Sequence, residues 1–545
     1  MKEKNGQKFR YLLGGVGISP DAADEEAFNR AADKMKRLGI NSSSLHFRLY
    51  KRSVDARKRD DVRVVWTVLV ESNAPIPPSK CERLGLRMLE EETAPQMRGI
   101  KPISAPPMVV GMGPAGLFAA LELAKNGYRP ILIDRGDSVV ERVAAVERFR
   151  MHGILDAESN VQFGAGGAGT FSDGKLVTRI HDSRCRSVLE TFQKHGAPDE
   201  ILTLAKPHIG TDVLRGVVNS ILDEIRRLGG CVIYRCKLLD FQELSDGTVD
   251  VHTSAGNFVS GALILAIGHS ARDTYEYLIG QQYAIEAKPI SVGVRVEHLQ
   301  TDIDSALYGR FAGHPKLGHA EYALSDTKGE RGVYTFCMCP GGEVVAAASE
   351  AGGLVVNGMS NHARDGKNAN AAVLVSVGCE DYSPINGSLA LGAIAFQRSV
   401  EQRAFHAGGG DYRAPVMILG DFMSGKRGTA PARIMPSYRD GRVSLTDFKS
   451  VFPSFVTDSL RYAFDSFGKK LAGYDDPDAV LTAAETRTSA PLRILRDREK
   501  LTAIGHPLIY PCGEGAGYAG GITSAATDGL RVAEALIARF APCKT

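Results

Sequence analysis

Apolar and polar positions follow two periods along this chain, and the changes between them mark out its elements. Residues 9–18 are strand-like. Residues 20–38 then place Ala27, Ala31, Met35 and Leu38 at helical spacing. Leu45, Phe47 and Leu49, and later Val62, Val64, Trp66, Val68 and Val70, alternate with their neighbours, which predicts two further strands. That order makes residues 1–100 a small α+β domain with a linker. The linker character runs through 73–107, with NAPIPP, KPISAPP and a helix expected near 79–92.

At residue 108 the period changes. MVV is a short buried strand, Gly111, Gly113 and Gly116 are spaced G-x-G-x-x-G, and a helix from Ala115 to Asn126 ends at Gly127. Ile131 to Ile133 form the next strand, and Asp134 closes it. Strand, glycine turn, helix, strand and acid together are built for a dinucleotide. The first glycine permits the turn, the second lets backbone approach a pyrophosphate, and the third allows close helix packing. The helix start favours the anion, and Asp134 suits a ribose hydroxyl. Two other formal matches, Gly164/Gly166/Gly169 and Gly515/Gly517/Gly520, lack this context.

A helix near 139–151 leads into NVQFGAGGAGTFSDGKL, whose glycines, with Gly169, Thr170 and Lys175, suit close approach to a ligand and a charge for a phosphate or a flavin oxyanion. Residues 211–229 keep Leu214, Val217, Val218, Ile221, Leu222 and Ile225 on one helical face. A buried strand then ends in Ala266, Ile267 and Gly268. Between 276 and 484 the segments SVGVRVEH, VYTFCMCPGGEVVAAAS and AAVLVSV predict strands of a mixed sheet, and 457–471 a helix. Near the end, the strand 508–510, a glycine-rich turn over 513–521 and a helix from Thr523 make a second helix-terminus anion site. A reduced isoalloxazine, negative around N1 and O2, suits it.

Composition changes this picture little. At 545 residues, 43% hydrophobic and 24% charged, with net charge +3, the chain is long enough for two or three globular domains. No apolar run approaches the ~20 residues that span a bilayer. Nine cysteines without framework spacing, and a charged start without an apolar signal segment, predict a cytoplasmic protein with free thiols. Cys337 and Cys339 form a C-x-C that reads as buried and structural, the alternatives being a redox pair or a metal site; no metal site is expected. Lys51, Arg52, Arg57, Lys58 and Arg59 make a basic hairpin tip. It reads as a solvated loop partly neutralised by Asp55, Asp60 and Asp61, with contact to RNA or a phosphorylated partner as the alternative.

VVGMGPAGLFAALELAKNGYRPILIDRG, ALILAIGHSA and LIYPCGEGAG resemble the motifs of glutathione-reductase-like, FAD-binding oxidoreductases. With NVQFGAGGAGTFSDGKL, SVGVRVEH, FCMCPGGEVVAAASEAGGLVVNGMS and YPCGEGAGYAGGITSAATDG, the chain resembles a bacterial family of uncharacterised FAD-dependent dehydrogenases with an extra N-terminal domain. The resemblance implies an α/β fold with a Rossmann-like FAD-binding domain over 101–275 and 485–545, and an inserted mixed α+β cap over 276–484. It implies that Gly111, Gly113, Pro114, Ala115 and Gly116 hold the pyrophosphate and that Asp134 and Arg135 meet the adenosine. Gly169, Thr170, Lys175 and Gly268 are then expected near the ribityl or flavin, Gly513 and Glu514 at the ribityl, and Gly521 and Ile522 at the pyrimidine. Ile267 stands where such proteins have threonine, and Glu514 where they have aspartate. The expected function is hydride transfer between FAD and a small-molecule substrate, with NAD(P)H as a transient electron donor and Lys175 and Arg487 as partners for an anionic substrate or reduced flavin. The alternatives are a flavin-dependent RNA-modifying enzyme and a non-catalytic FAD-binding sensor or scaffold.

Overall fold

The computed structural model describes residues 8–89, 98–426 and 428–543, which fall into two compact units. The first takes in Met1–Pro95 together with Pro198–Pro207 and Thr301–Ala320, so it reaches beyond the first hundred residues. Its core is a four-stranded antiparallel sheet in the order β2-β3-β1-β4: β1 is Phe9–Ile18, β2 Leu45–Asp55, β3 Arg63–Ser72 and β4 Leu86–Met88. The helix α1, Glu25–Lys36, lays Ala27, Ala31 and Met35 into the core, with Phe28 edge-on to Trp66 at 5.5 Å. It starts later than the apolar spacing implies, because the chain turns at Pro20–Ala23. The helix expected near 79–92 is the short α2, Pro78–Leu84, stopped by Gly85 at φ 64°; positions 90–92 lie outside the described residues. At the basic tip Arg57 pairs with Asp55 at 2.6 Å, while the Arg52 amide donates to the Thr203 carbonyl at 2.7 Å.

The second unit contains two larger sheets. A five-stranded parallel sheet runs Ile509–Pro511, Leu263–Leu265, Met108–Val110, Ile131–Ile133, Cys231–Ile233. Its central strands are apolar on both faces because helices cover them. Pro114–Lys125 starts with proline at its first turn and buries most of its surface. The helix Ile522–Arg539 packs on it so closely that a Cβ on Gly529 would lie 2.1 Å from the Ala115 carbonyl oxygen. A seven-stranded, largely antiparallel sheet follows the order Ser325–Asp326, Val333–Cys339, Asn368–Val377, Ile290–Leu299, Val480–Glu485, Ala414–Ile418, Val443–Leu445. The stretch VYTFCMCPGGEVVAAAS, expected as one strand, divides at Pro340–Gly342 into Val333–Cys339 and Glu343–Ala346, and the second piece pairs in a separate two-stranded sheet.

Candidate functional site

The glycine turn is shaped by what surrounds it. Gly111 has φ 104°, and a Cβ there would sit 2.3 Å from the Ala266 carbonyl oxygen; one on Gly116 would sit 1.8 Å from the Gly111 oxygen. Neither position tolerates a side chain. The glycine-dense loop that follows is not a free surface loop. The Gly166 amide donates to the Met112 carbonyl at 2.9 Å, and a Cβ on Gly167 would lie 2.7 Å from Gly113 Cα. Much of the glycine content therefore serves packing of one turn on another.

Beside these turns lies a cavity of about 340 Å³. Gly111, Gly113, Pro114, Ala115, Asp134, Arg135, Gly169, Lys175, Gly268, Arg487, Glu514, Gly521 and Ile522 are all in its walls. The starts of Pro114–Lys125 and Ile522–Arg539 both open into it, so two sets of unpaired helix amides and two positive dipole ends share one space. At Gly268 and Gly521 an added Cβ would meet nothing within 4 Å, so the chain there borders open volume. Asp134 accepts from the Met112 and Gly136 amides, each at 2.8 Å, which fixes its carboxylate at the end of the strand. The Glu514 carboxyl has no hydrogen-bond or salt-bridge partner among the described residues, while its backbone carbonyl accepts from the Gly517 amide at 2.9 Å; burial, opposed by Lys288, pushes the carboxyl up to about 7. A half-buried acid whose carboxyl has no partner, set in a cavity wall, is suited to a polar ligand.

Several expected residues have other tasks. Thr170 is fully buried; its hydroxyl turns to the Ala165 carbonyl at 3.5 Å and its own carbonyl accepts from Thr211 Oγ1 at 2.6 Å, so it faces away from the cavity. Gly116 and Gly513 are buried behind the wall, Gly513 giving its amide to Asp528 at 2.8 Å. Arg135 pairs with Asp273 at 2.9 Å and Glu158 at 3.4 Å, with Phe163 beneath its guanidinium. Neither charge proposed for an anionic partner is unspent. Lys175 donates to the Met338 carbonyl and pairs with Asp173 at 3.2 Å. Arg487 is engaged by both Glu401 oxygens, at 3.0 and 2.7 Å, and by Ser349. Both residues tie the wall together.

Other wall residues drew no cofactor or catalytic assignment from the sequence. His269 hydrogen-bonds through Nδ1 to Ser270 Oγ at 2.9 Å; burial, with Arg487 and Arg272 nearby, lowers its pKa to about 4, so the imidazole is neutral near pH 7. Its place directly after Gly268, at the end of a buried strand, was the available signal. Cys337 and Glu485 also line the cavity. Arg295, fully buried, binds Glu485 at 2.5 and 3.1 Å and Asn370 at 2.9 Å. Cys337 is therefore not a buried core thiol. No cluster able to hold a metal occurs among the described residues, and none of their helices is long and apolar enough to cross a membrane.

Residues 289–488 match the model of the C-terminal domain of FAD-dependent proteins, and residues 16–71 match a domain of unknown function. An uncharacterised protein of Clostridium beijerinckii is 46% identical over 517 residues, covering 93% of this chain and 95% of that one. Solved structures are more remote. A variant of the halogenase PltM in complex with FAD is 12% identical, covering 79% of this chain and 67% of its own, with a TM-score of 0.37. CtdE in complex with FAD is 10% identical, covering 78% and 81%, with a TM-score of 0.30. The glycine turn, the acid after the second strand and two helix starts around one cavity fit FAD, and FAD is the cofactor. The chain belongs to the family of the clostridial protein, and its own seven-stranded sheet lies within the stretch that matches the C-terminal domain of FAD-dependent proteins.

Proposed function

We propose that this protein is an FAD-dependent oxidoreductase of glutathione-reductase-like architecture that exchanges a hydride with a small molecule admitted to the cavity. The observation that carries the reading is the convergence of two helix starts on one cavity whose wall also holds Asp134 and Glu514. The Gly111–Gly113 turn and the amides of Pro114–Lys125 would hold the pyrophosphate, and Asp134 the ribose. Glu514 would take a ribityl hydroxyl, its neutral or ionised carboxyl serving as donor or acceptor. The amides at Gly521 and Ile522 would stabilise negative charge at the pyrimidine end. The bound flavin supplies the hydride chemistry. Neutral His269 can hold or take a proton at Nε2, since Nδ1 is committed to Ser270. The buried ion pairs of Lys175 and Arg487 keep the wall rigid.

The test is the anaerobic visible spectrum of the purified protein, titrated with NADH and then NADPH. A yellow protein bleached by one of them supports the oxidoreductase reading with a nicotinamide as electron donor. A yellow protein that neither nicotinamide nor a metabolite screen reduces would favour a non-catalytic sensor or scaffold. A colourless protein that takes up no FAD would sink the reading.

A further inference from the structure

We infer that Cys337 is a nucleophilic thiol of the cavity wall, placed to bond covalently to a soft electrophilic centre of a small molecule. The strand Val333–Cys339 pairs regularly with Asn368–Val377 as far as Phe336 opposite Ala372 and resumes only at Cys339 opposite Asn370. Cys337 and Met338 form the bulge between, and Cys337 has φ 43°, a left-handed conformation that a side chain adopts only when its surroundings impose it. Bulges of this kind re-aim side chains beside functional sites. Here the bulge brings Cys337 to the cavity together with Phe336, Asn357 and Glu485.

The bulge is held by cations. Arg295 Nη1 donates to the Cys337 carbonyl at 2.9 Å, and Lys175 Nζ donates to the Met338 carbonyl. Cys339, fully buried, donates its Sγ to the Cys337 carbonyl at 3.3 Å, and so positions its neighbour. The charged and titratable groups around the thiol are thus Cys339, Lys175, Arg295, Asp173 and Glu485. The Cys339 thiol, then Lys175 and Arg295, hold the Cys337 thiol well below the usual thiol range against burial and Asp173. A thiolate beside cations and open to a cavity is the reactive form of cysteine. The pattern differs at Cys339, Cys236 and Cys512, which are buried and pushed up by their surroundings. In the bond-forming step Cys337 Sγ supplies the electron pair for a new C–S bond and the leaving group departs with the pair it shared with carbon, so no oxidant is needed.

Iodoacetamide tests this on the full-length protein as purified, with each cysteine followed by peptide mass spectrometry between pH 5.5 and 9. Cys337 is expected to be alkylated before exposed Cys231. Its rate should fall less than about threefold from pH 8.5 to 6.5, where an unperturbed thiol loses about fiftyfold. Lys175→Met should move that profile toward the ordinary one, and Cys337→Ser should abolish the fast phase. Labelling of Cys337 no faster than of Cys231, or with ordinary pH dependence, overturns the inference. The readout does not pass through the flavin, so a colourless protein with a fast Cys337 would sink the proposed function and leave this inference standing.

Discussion

The two larger sheets of the second unit meet the same cavity with opposite chemistry. In the parallel sheet the strands Met108–Val110, Leu263–Leu265 and Ile509–Pro511 are buried at every position, and the sheet delivers mainly backbone to the site, a glycine turn and helix amides, with the side chains of Asp134, His269 and Glu514 just beyond strand ends. The seven-stranded sheet buries Arg295, Glu297, His298, Asn370, Thr482 and Glu485, each 3% exposed or less, and gives the cavity wall the side chains of Phe336, Cys337 and Glu485. Backbone recognition needs space and close approach, and so glycines; side-chain chemistry needs charges that are taken out of water and must be paired. One wall therefore suits holding a ligand, and the other suits acting on it.

The largest effect should come from breaking a pair in the charged sheet. Glu485→Ala leaves Arg295 buried without its carboxylate and should cost about 3–5 kcal/mol in urea denaturation. A cost well below about 3 kcal/mol would mean the interior charges are solvated. Next, Gly111→Ala combines a strained φ with a clash against Ala266, about 3 kcal/mol, and should yield protein that no longer retains FAD through gel filtration. Retention of yellow colour would remove the turn from the site.

Smaller still, Tyr275→Phe removes the hydroxyl that donates to the Gly515 carbonyl at 2.8 Å and lies 3.1 Å from the Gly268 carbonyl, worth about 1–2 kcal/mol by chemical denaturation, with weaker flavin retention. Last is a pH effect at Glu514. Burial raises its folded pKa from 4.5 to about 7, so the stability associated with its neutral form is intact below 4.5 and lost as pH rises through about 7. Glu514→Gln stays neutral, so the urea midpoint of the flavin-free variant should exceed that of wild type increasingly from pH 5 to 8. A constant gap over that range would show that Glu514 does not titrate there.

The backbone-delivering wall was the legible one. MVV, ILI and LIL are runs that only a doubly covered strand explains, and Gly111, Gly113 and Asp134 stand at offsets set by local geometry. The charged wall was not legible, since nothing near Arg295 in the chain announces Glu485, nor anything near Lys175 the Met338 carbonyl. Thr170 was misread for a different reason: its hydroxyl turns to the Ala165 carbonyl of its own loop once that loop packs on the glycine turn. Cys337 looked like a core residue because strand alternation does not reveal a bulge.

Short-range order thus sets the elements, the glycine turn and the acid after it, because turn geometry, helix starts and strand burial depend on residues a few positions apart. Pairing of buried charges, the choice of which glycines pack and which border open space, and the turning of Cys337 into the cavity were decided by tertiary structure. A buried charge finds its partner through space, and burial gives that partner its strength.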